Sequence, residues 1–170
     1  MVIPRIKAIW PSGKRVVLQH DNAKPHVEAD DPEVVAACRE GGWDMKIRPQ
    51  PANSPDYNAN DLGFFASLQS LQYKKRAKTV EDLVNNVEDA FNELHFSTLD
   101  KVFLTLQSVL QASMYVNGCN KYKLPHLSKD TLRSNNGLLP PSMACSKRVY
   151  NKANAFLGSV DTQEVEHKRT

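Results

Sequence analysis

The chain has 170 residues, 41% of them hydrophobic, and its formal net charge is only +3. This length and apolar content suit one domain of ordinary size with its own core. Three widely spaced cysteines exclude a disulfide framework and a paired-cysteine zinc site, which favours a reducing intracellular setting. No apolar run approaches the roughly 20 residues of a membrane span, and the first residues do not form a signal peptide. We therefore expect a protein of the cytosol or the nucleus, without a membrane partner.

Charged residues are unevenly distributed along the chain. Residues 79–100 contain six acids and no lysine or arginine, whereas residues 101–153 contain eight lysines and arginines and one acid. The acidic stretch is preceded by a basic cluster of four residues: Lys74, Lys75, Arg76 and Lys78. This pattern is compatible with solvated helix faces and also with a surface that binds nucleic-acid phosphates. Charge asymmetry alone does not decide between these two interpretations.

The first part of the chain predicts two helices and two strands in alternation. A helix ends near Pro11, and the β-branched apolar run at residues 16–20 predicts a short buried strand. Asp31 caps a second helix that ends at a Gly-Gly pair. Residues 43–48 alternate apolar and polar side chains, as in a strand with one covered face. A strand, a helix and a strand in this order predict two parallel strands joined by a right-handed crossover.

Helices dominate the prediction for the rest of the chain. After a loop rich in proline and asparagine, Asp61 heads a helix, and Thr79 begins another with a capping box. A second cap at Ser97 predicts a further helix, packed antiparallel against the one before it. From residue 120 onwards regularity fades, so we expect an irregular basic tail with one short helix near residues 147–157.

Two carboxylates lie at the edges of these elements. Asp21 directly follows the first strand, and Asp61 begins the helix after the loop. Ligands of parallel α/β units gather at the carboxyl ends of the strands, and a hard cation such as Mg²⁺ prefers oxygen ligands. A metal site shared by the two carboxylates is therefore one interpretation. The simpler one, favoured from the residues alone, makes Asp21 a loop-capping residue, Asp61 a helix cap and His26 a loop histidine bonded to a backbone carbonyl.

The residues around both carboxylates resemble two catalytic blocks of Tc1/mariner transposases. Residues 19–26 read Gln-His-Asp-Asn-Ala-Lys-Pro-His and are similar to the second block, in which a strand ends in Asp-Asn-Ala-x-x-His. Residues 53–61 resemble the third block, and the 39 residues between Asp21 and Asp61 match the spacing in plant-type mariner-like elements. The residues that carry the match are Asp21, Asn22 and His26 in one block and Ser54, Pro55, Asp56, Asn58 and Asp61 in the other. The resemblance covers about residues 2–120.

This resemblance implies an α/β fold of the ribonuclease H type. The chain would carry a strand-helix-strand-helix part of that fold, followed by a helical pair and an irregular tail. Residues 16–20 and 43–48 would be the fourth and fifth strands, and Asp61 would begin the last helix of the core. We expect three regions on this basis: residues 1–78 as the C-terminal part of the catalytic domain, residues 79–119 as a helical hairpin and residues 120–170 as a basic tail.

The resemblance also implies a metal-dependent chemistry. Family members use two Mg²⁺ or Mn²⁺ ions, held by three carboxylates, to cut and join DNA. Asp21 and Asp61 match the second and third of these catalytic, metal-binding residues. The first, which bridges both ions, and the helix-turn-helix DNA-binding region would lie before residue 1. Tyr57 and Ala59 stand where the family commonly has Leu and Pro. We therefore expect this chain alone to bind the ions weakly or not at all, and not to cut DNA.

Three functions are compatible with these residues. The first is a DNA transposase of which these residues are a C-terminal fragment, with DNA as its partner. The second is a non-catalytic, transposase-derived protein that binds nucleic acid through the basic cluster or serves as an interaction partner. The third and less favoured is a ribonuclease H-like nuclease or resolvase. The resemblance also implies that the strand at residues 16–20 lacks its neighbour, the first strand of the family fold. This open edge favours self-association of the isolated chain.

Overall fold

The structure of the chain, a computed structural model, describes residues 2–21, 23–132 and 137–167, without the side chains of Asp130 and of residues 160–167. The described residues form six α-helices and one two-stranded parallel sheet, a mixed α/β arrangement. The chain divides into two compact units, Met1–Ser54 and Pro55–Thr170. Within the described residues, no helix combines the length and the apolar character that crossing a bilayer requires.

The first unit contains the sheet. Its helices are α1 (Val2–Ile9) and α2 (Pro32–Arg39), and its strands are β1 (Val16–His20) and β2 (Met45–Pro49). Asp31 caps α2 by accepting hydrogen bonds from the backbone N–H groups of Glu33 and Val34. The predicted cap is therefore confirmed. Pro32 follows in the first turn, where a missing N–H leaves no helical bond unmade.

The two strands pair in parallel, as the order of strand, helix and strand predicts. The register places His20 opposite Pro49. The ladder ends where the backbone N–H of Gln50 donates to the carbonyl of His20 at 2.9 Å. The carboxyl ends of both strands therefore lie at the same edge of the sheet, and Asp21 follows directly from it.

The strands expose alternate side chains. On β1, Val17 and Gln19 are exposed, and the other three residues are half-buried. The prediction of a buried strand is therefore wrong, because packing within the unit covers only one of its faces. On β2, Met45 is buried while Lys46 and Arg48 are exposed. The predicted alternation of this strand is confirmed, although the strand begins two residues later than predicted.

The second unit is helical. Its α-helices are α3 (Phe65–Gln72), α4 (Val80–Glu93), α5 (Phe96–Tyr115) and α6 (Lys147–His167). Two 3₁₀ turns, Pro55–Tyr57 and Lys129–Leu132, and a π-helical turn, Asn60–Phe64, complete it. The core lies along α5, where Leu104 and Val109 are fully buried. This helix packs against the π-helical turn, the first 3₁₀ turn and α6.

Local hydrogen bonds set the starts of α4 and α5. At α4 the N–H of Asp82 donates to Thr79 Oγ1 at 3.0 Å, and the N–H of Thr79 donates to Asp82 Oδ2 at 3.1 Å. The predicted capping box is confirmed. At α5 the cap is His95, whose Nδ1 accepts the N–H of Ser97. The predicted cap at Ser97 is wrong by two residues, because a ring nitrogen replaces the expected hydroxyl acceptor.

The packing of α4 differs from the predicted antiparallel pair with α5. The extensive contacts of α4 are with α3. Only Ala90 of this helix is buried, and Phe91 is 62% exposed. The apolar spacing correctly predicts the helix but not its neighbour, because a stripe of apolar residues does not specify which surface covers it.

The helix predicted to begin at Asp61 starts irregularly. The π-helical turn has Ala59 at its N-cap, without a capping side chain, and Asp61 is exposed. The interpretation of Asp61 as a helix cap is therefore wrong. Gly63 allows α5 to come close, since a Cβ at this position would lie 3.2 Å from Val102 Cγ2. The hydroxyl of Ser67 donates to the carbonyl of Gly63 at 2.7 Å and ties the turn to α3.

The tail contains more helix than predicted. α6 begins where a short helix is expected but extends to His167. It packs on α5 through Tyr115, whose hydroxyl accepts a hydrogen bond from Arg148 at 3.0 Å. The ammonium of Lys152 lies 4.3 Å from the centre of the same ring, within the range of a cation–π contact. Two basic residues of the tail thus contribute to packing inside this unit.

The outer side of β1 allows a test of self-association. The N–H of Val16 donates to the backbone carbonyl of Asp44, on the β2 side of the strand. Because successive N–H groups of a strand alternate in direction, the N–H of Val17 points to the opposite side. Val17 is also 48% exposed. We predict that the chain self-associates through this edge. Val17→Pro, which removes the outward donor, should reduce association in sedimentation velocity runs over a concentration series.

Val17→Ala is the matched control for this experiment. It shortens the same side chain but keeps the N–H group, so it should associate as the wild-type chain does. Equal association of the Pro and Ala variants would mean that the strand edge is not the contact. The exposed apolar stripe of α4 would then be the surface to examine.

Candidate metal centre and nucleic-acid interface

Asp21 opens a short loop at the end of β1. Its Oδ1 accepts a hydrogen bond from the backbone N–H of Ala23 at 3.1 Å and lies 2.9 Å from Nε2 of His26. The loop is closed by the N–H of His26, which donates to the carbonyl of Ala23 at 3.0 Å. Asp21 thus caps its loop, as the simpler interpretation predicts. The His26 ring differs from that interpretation, because it pairs with a carboxylate and not with a backbone carbonyl.

His20 lies beside this pair. Its ring centre is 5.0 Å from that of His26. One ligand atom from each of His20, Asp21 and His26 lies within 4.8 Å of the other two. The sequence motif points to Asp21 and His26 and misses His20. The available signal is that two histidines flank an aspartate at the end of a strand.

The third motif block is held in place by tyrosines. The hydroxyl of Tyr122 donates a hydrogen bond to Asp56, and the hydroxyls of Tyr57 and Ser113 are bonded to each other. Burial, followed by the bond to Asp56, raises the pKa of Tyr122 well above its usual value. Tyr122 therefore stays protonated and keeps donating. These contacts fasten the segment before Asp61 to the helical unit.

Other residues of the motifs have local structural tasks. Asn58 Oδ1 accepts the N–H of Asn60 at 3.0 Å, and Pro55 begins a 3₁₀ turn. The hydroxyl of Ser54 donates to the carbonyl of Ala52 at 3.2 Å. Asn22 lies outside the described residues.

The two candidate metal-binding carboxylates belong to different units. Asp21 lies in the first unit and Asp61 in the second. Both side chains are exposed at the surface of their own unit. That the two carboxylates meet at one metal site stays a prediction.

The basic cluster is only partly available for phosphates. The ammonium of Lys75 lies 2.9 Å from Asp89 Oδ2 and 2.8 Å from Glu93 Oε1. Its hydrogen bonds to Glu93 and Asp89 raise the pKa of Lys75, so the ion pairs persist at neutral pH. Lys75 therefore joins the turn after α3 to α4. The other members, Lys74, Arg76 and Lys78, are exposed.

A polar cavity in the second unit brings two further lysines together. It has a volume of about 740 Å³, and its lining includes Lys101, Thr105, Ser128 and Lys129. The ammonium of Lys129 donates to Thr105 Oγ1 at 2.7 Å. Burial, with the charge of Lys101, lowers the pKa of Lys129. The sequence shows both lysines only as members of a long basic stretch and does not predict that they meet.

The side chains around Asp21 do not fit Mg²⁺ on their own. Mg²⁺ requires near-octahedral coordination by oxygen atoms. The cluster in the described residues offers one carboxylate and two imidazoles. Imidazole ligands suit Zn²⁺, Ni²⁺ and Cu²⁺ instead. No catalytic step through Mg²⁺ therefore follows from the first unit alone.

Comparison of the chain with family models, with curated proteins and with solved structures gives no match. The resemblance to transposases accordingly rests on the two motif blocks and on their spacing. The contacts described above are the further basis for a functional conclusion.

The loop at Asp21 has a pH dependence that can be tested. The backbone N–H of Ala23 is the main cause that holds the pKa of Asp21 below its usual value; desolvation opposes it, and His26 lowers the pKa further. The resulting stabilisation is present above the usual aspartate pKa and is lost as the pH falls through the lowered value. We predict that His26→Ala raises the pKa of Asp21 but leaves it below the usual value. An NMR titration of the carboxyl carbon measures both.

His126→Ala serves as the control, since His126 is an exposed histidine of the second unit. It should leave the titration of Asp21 unchanged. An Asp21 that titrates at its usual value in the His26→Ala chain would show that the histidine, and not the backbone of Ala23, causes the shift.

Proposed function

We propose that these residues are part of the catalytic domain of a mariner-like DNA transposase, a nuclear protein with a ribonuclease H-like fold that binds DNA. The observation that carries the proposal is the order and spacing of two motif blocks, residues 21–26 after a strand and residues 53–58 before Asp61. Transposition needs carboxylates that converge on a pair of metal ions. A strand end and an adjoining helix start are suitable places for them.

The local fold around each block supports this proposal. β1 and β2 are parallel and are joined through α2, as the fourth and fifth strands of a ribonuclease H-like sheet would be. Asp21 stands at the carboxyl edge of that pair, where ligands of such sheets gather. Asp61 is exposed in the turn that leads into α3.

Asp21 and Asp61 would hold Mg²⁺ or Mn²⁺ in this proposal. When bound, such ions stabilise the charge of the phosphoryl group during DNA strand cleavage and transfer. The proposed chemistry would also need a third carboxylate. Asp56 is the nearest in sequence, but it accepts the hydrogen bond of Tyr122. Asp44 precedes β2 and so lies at the end of the sheet away from Asp21. The proposal therefore assigns no DNA cleavage to these residues alone.

The proposal predicts that the side chains of residues 21 and 61 lie close together in the folded chain. Asp21→Cys and Asp61→Cys, combined in one chain, should be joined by a short bis-maleimide reagent. The reason is that two carboxylates that would hold the same pair of metal ions must themselves be near neighbours. Cys119 and Cys145, the exposed native cysteines, are changed to Ser in every sample. Peptide mass spectrometry after proteolysis measures the intrachain product.

Two controls make the cross-link informative. The single-cysteine variants exclude products between chains, and the double variant in denaturant should lose most of the intrachain product. A folded double variant that gives no intrachain cross-link would end the shared metal site. The second candidate would then be preferred, a transposase-derived protein that binds nucleic acid without catalysis, which the exposed lysines and arginine near α4 favour.

DNA binding should depend on the exposed members of the basic cluster. We predict weak binding without sequence preference, with a dissociation constant of roughly 10⁻⁴ to 10⁻⁶ M near physiological salt. Lys74→Gln, Arg76→Gln and Lys78→Gln together should weaken it. The logarithmic salt slope should also fall, by roughly 0.9 for each lost phosphate contact. Fluorescence anisotropy of labelled duplex DNA over a salt series measures both effects.

Two controls distinguish the loss of phosphate contacts from the effect of a lower net charge. One removes the same number of charges as the cluster variant, and the other removes fewer. Lys14→Gln, Lys46→Gln and Lys121→Gln remove three exposed charges elsewhere and should alter the slope less. Lys75→Gln should reduce stability, since it breaks two ion pairs within the second unit, but should leave the slope unchanged. If the cluster variant and the triple control behave alike, the cluster is not the contact surface.

A further inference from the structure

We infer that His20, Asp21 and His26 form a binding site for a transition-metal ion, with Zn²⁺ as its occupant. One ligand atom from each of the three side chains lies within 4.8 Å of the others. Two imidazoles and one carboxylate are a set that Zn²⁺ accepts, with a fourth position left for water or another ligand. The site requires no carboxylate besides that of Asp21. The proposed function also places Asp21 at a metal ion, but together with Asp61, so the dependence of metal binding on Asp61 distinguishes the two assignments.

The distances are compatible with coordination after small side-chain movements. Tetrahedral Zn²⁺ with ligands at its usual bond lengths separates them by about 3.3 Å. Asp21 Oδ1 and His26 Nε2 are 2.9 Å apart and need to open slightly. The ligand atoms of the three side chains all lie within 4.8 Å of one another, and the longest of these distances has to shorten. Since Asp21 and His26 are half-exposed, rotation about their side-chain bonds can supply this movement.

Backbone hydrogen bonds link the described residues that carry the three ligands. The β1–β2 ladder ends at His20, whose carbonyl accepts the N–H of Gln50. The bond from the N–H of His26 to Ala23 closes the loop. The N–H of Ala23 also orients the carboxylate of Asp21. A hydrogen-bonded ligand of this kind is what tunes metal sites in proteins.

The neighbouring surface also suits a bound cation. His20 and His26 line a cavity of about 790 Å³ in the first unit, together with apolar residues such as Leu18 and Ile47. The acidic residues Asp31 and Glu33 belong to the same lining. An apolar shell limits the water around an ion, and carboxylates nearby favour positive charge.

Co²⁺ and Zn²⁺ are the probes that test this site. The full chain carries Cys119→Ser and Cys145→Ser, so that the exposed thiols do not compete. Co²⁺ binding is followed by visible absorption, and Zn²⁺ binding by titration calorimetry. We expect one ion per chain. His20→Ala and His26→Ala should each weaken metal binding by at least about ten-fold. The reason is that loss of a residue that only hydrogen-bonds to a metal ligand already lowers the metal affinity by about that factor. A large excess of Mg²⁺ should not displace Co²⁺.

Matched variants decide between this site and other sources of binding. His126→Ala removes an exposed histidine of the second unit and should leave the affinity unchanged, as should Asp61→Asn. His26→Gln is a second variant that keeps a polar side chain in the loop. Far-UV circular dichroism checks that every variant is folded.

Each outcome bears on the inference. The inference is wrong if Co²⁺ does not bind to the chain. It is also wrong if His20→Ala and His26→Ala leave Co²⁺ binding intact. If Asp61→Asn weakens Co²⁺ binding as much as His26→Ala does, the inference is also wrong. That result would instead support the carboxylate pair of the proposed function. If Asp61→Asn leaves Co²⁺ binding unchanged and residues 21 and 61 cannot be cross-linked, the Zn²⁺ site is supported and the proposed function is wrong.

Discussion

Parallel hydrogen bonding between β1 and β2 brings the carboxyl ends of both strands to the same edge of the sheet. The connection through α2 makes this pairing possible, since parallel strands need a long crossover. Because the ladder ends at His20, the next residue, Asp21, leaves the sheet at that edge. The position of the whole His20–His26 cluster depends on this pairing. A one-residue change of register would turn each side chain of β1 to the other face.

In the second unit, α5 has the comparable role. Its buried side chains form the core, and its surface receives the π-helical turn at Gly63. The hydroxyls of Tyr57 and Ser113 are hydrogen-bonded to each other, and the hydroxyl of Tyr122 donates a hydrogen bond to the carboxylate of Asp56. Several residues of the third motif block thus stabilise the fold, while Asp61 is exposed to solvent. A motif that marks a catalytic centre in one family therefore also contains residues whose task is packing.

Charge placement shows why counts of basic residues are a weak guide to nucleic-acid binding. Lys75 belongs to the basic cluster, yet its two carboxylate partners on α4 neutralise it locally. In the tail, Arg148 and Lys152 lie against Tyr115. The acidic stretch and the basic cluster, which are adjacent in sequence, thus partly compensate each other across the α3–α4 contact. The surface left for phosphates is smaller than the sequence suggests.

The local features of the fold could be predicted from the amino-acid sequence. The cap at Asp31 and the capping box at Thr79 are predictable because they need only hydrogen bonds between residues near each other in the chain. The parallel order of β1 and β2 is predictable for another reason, since a strand, a helix and a strand in sequence favour a crossover between parallel strands. The motif positions of Asp21 and Asp61 are equally a property of the sequence.

Which surfaces and side chains contact each other is visible only in the folded chain. The packing of α4 on α3, the bond between Tyr122 and Asp56, and the approach of His20 to His26 could not be read from spacing. Each of them depends on where the chain returns after a turn or a long connection. That return is set by the fit of many side chains at once, and an apolar stripe or a single histidine does not encode its own partner.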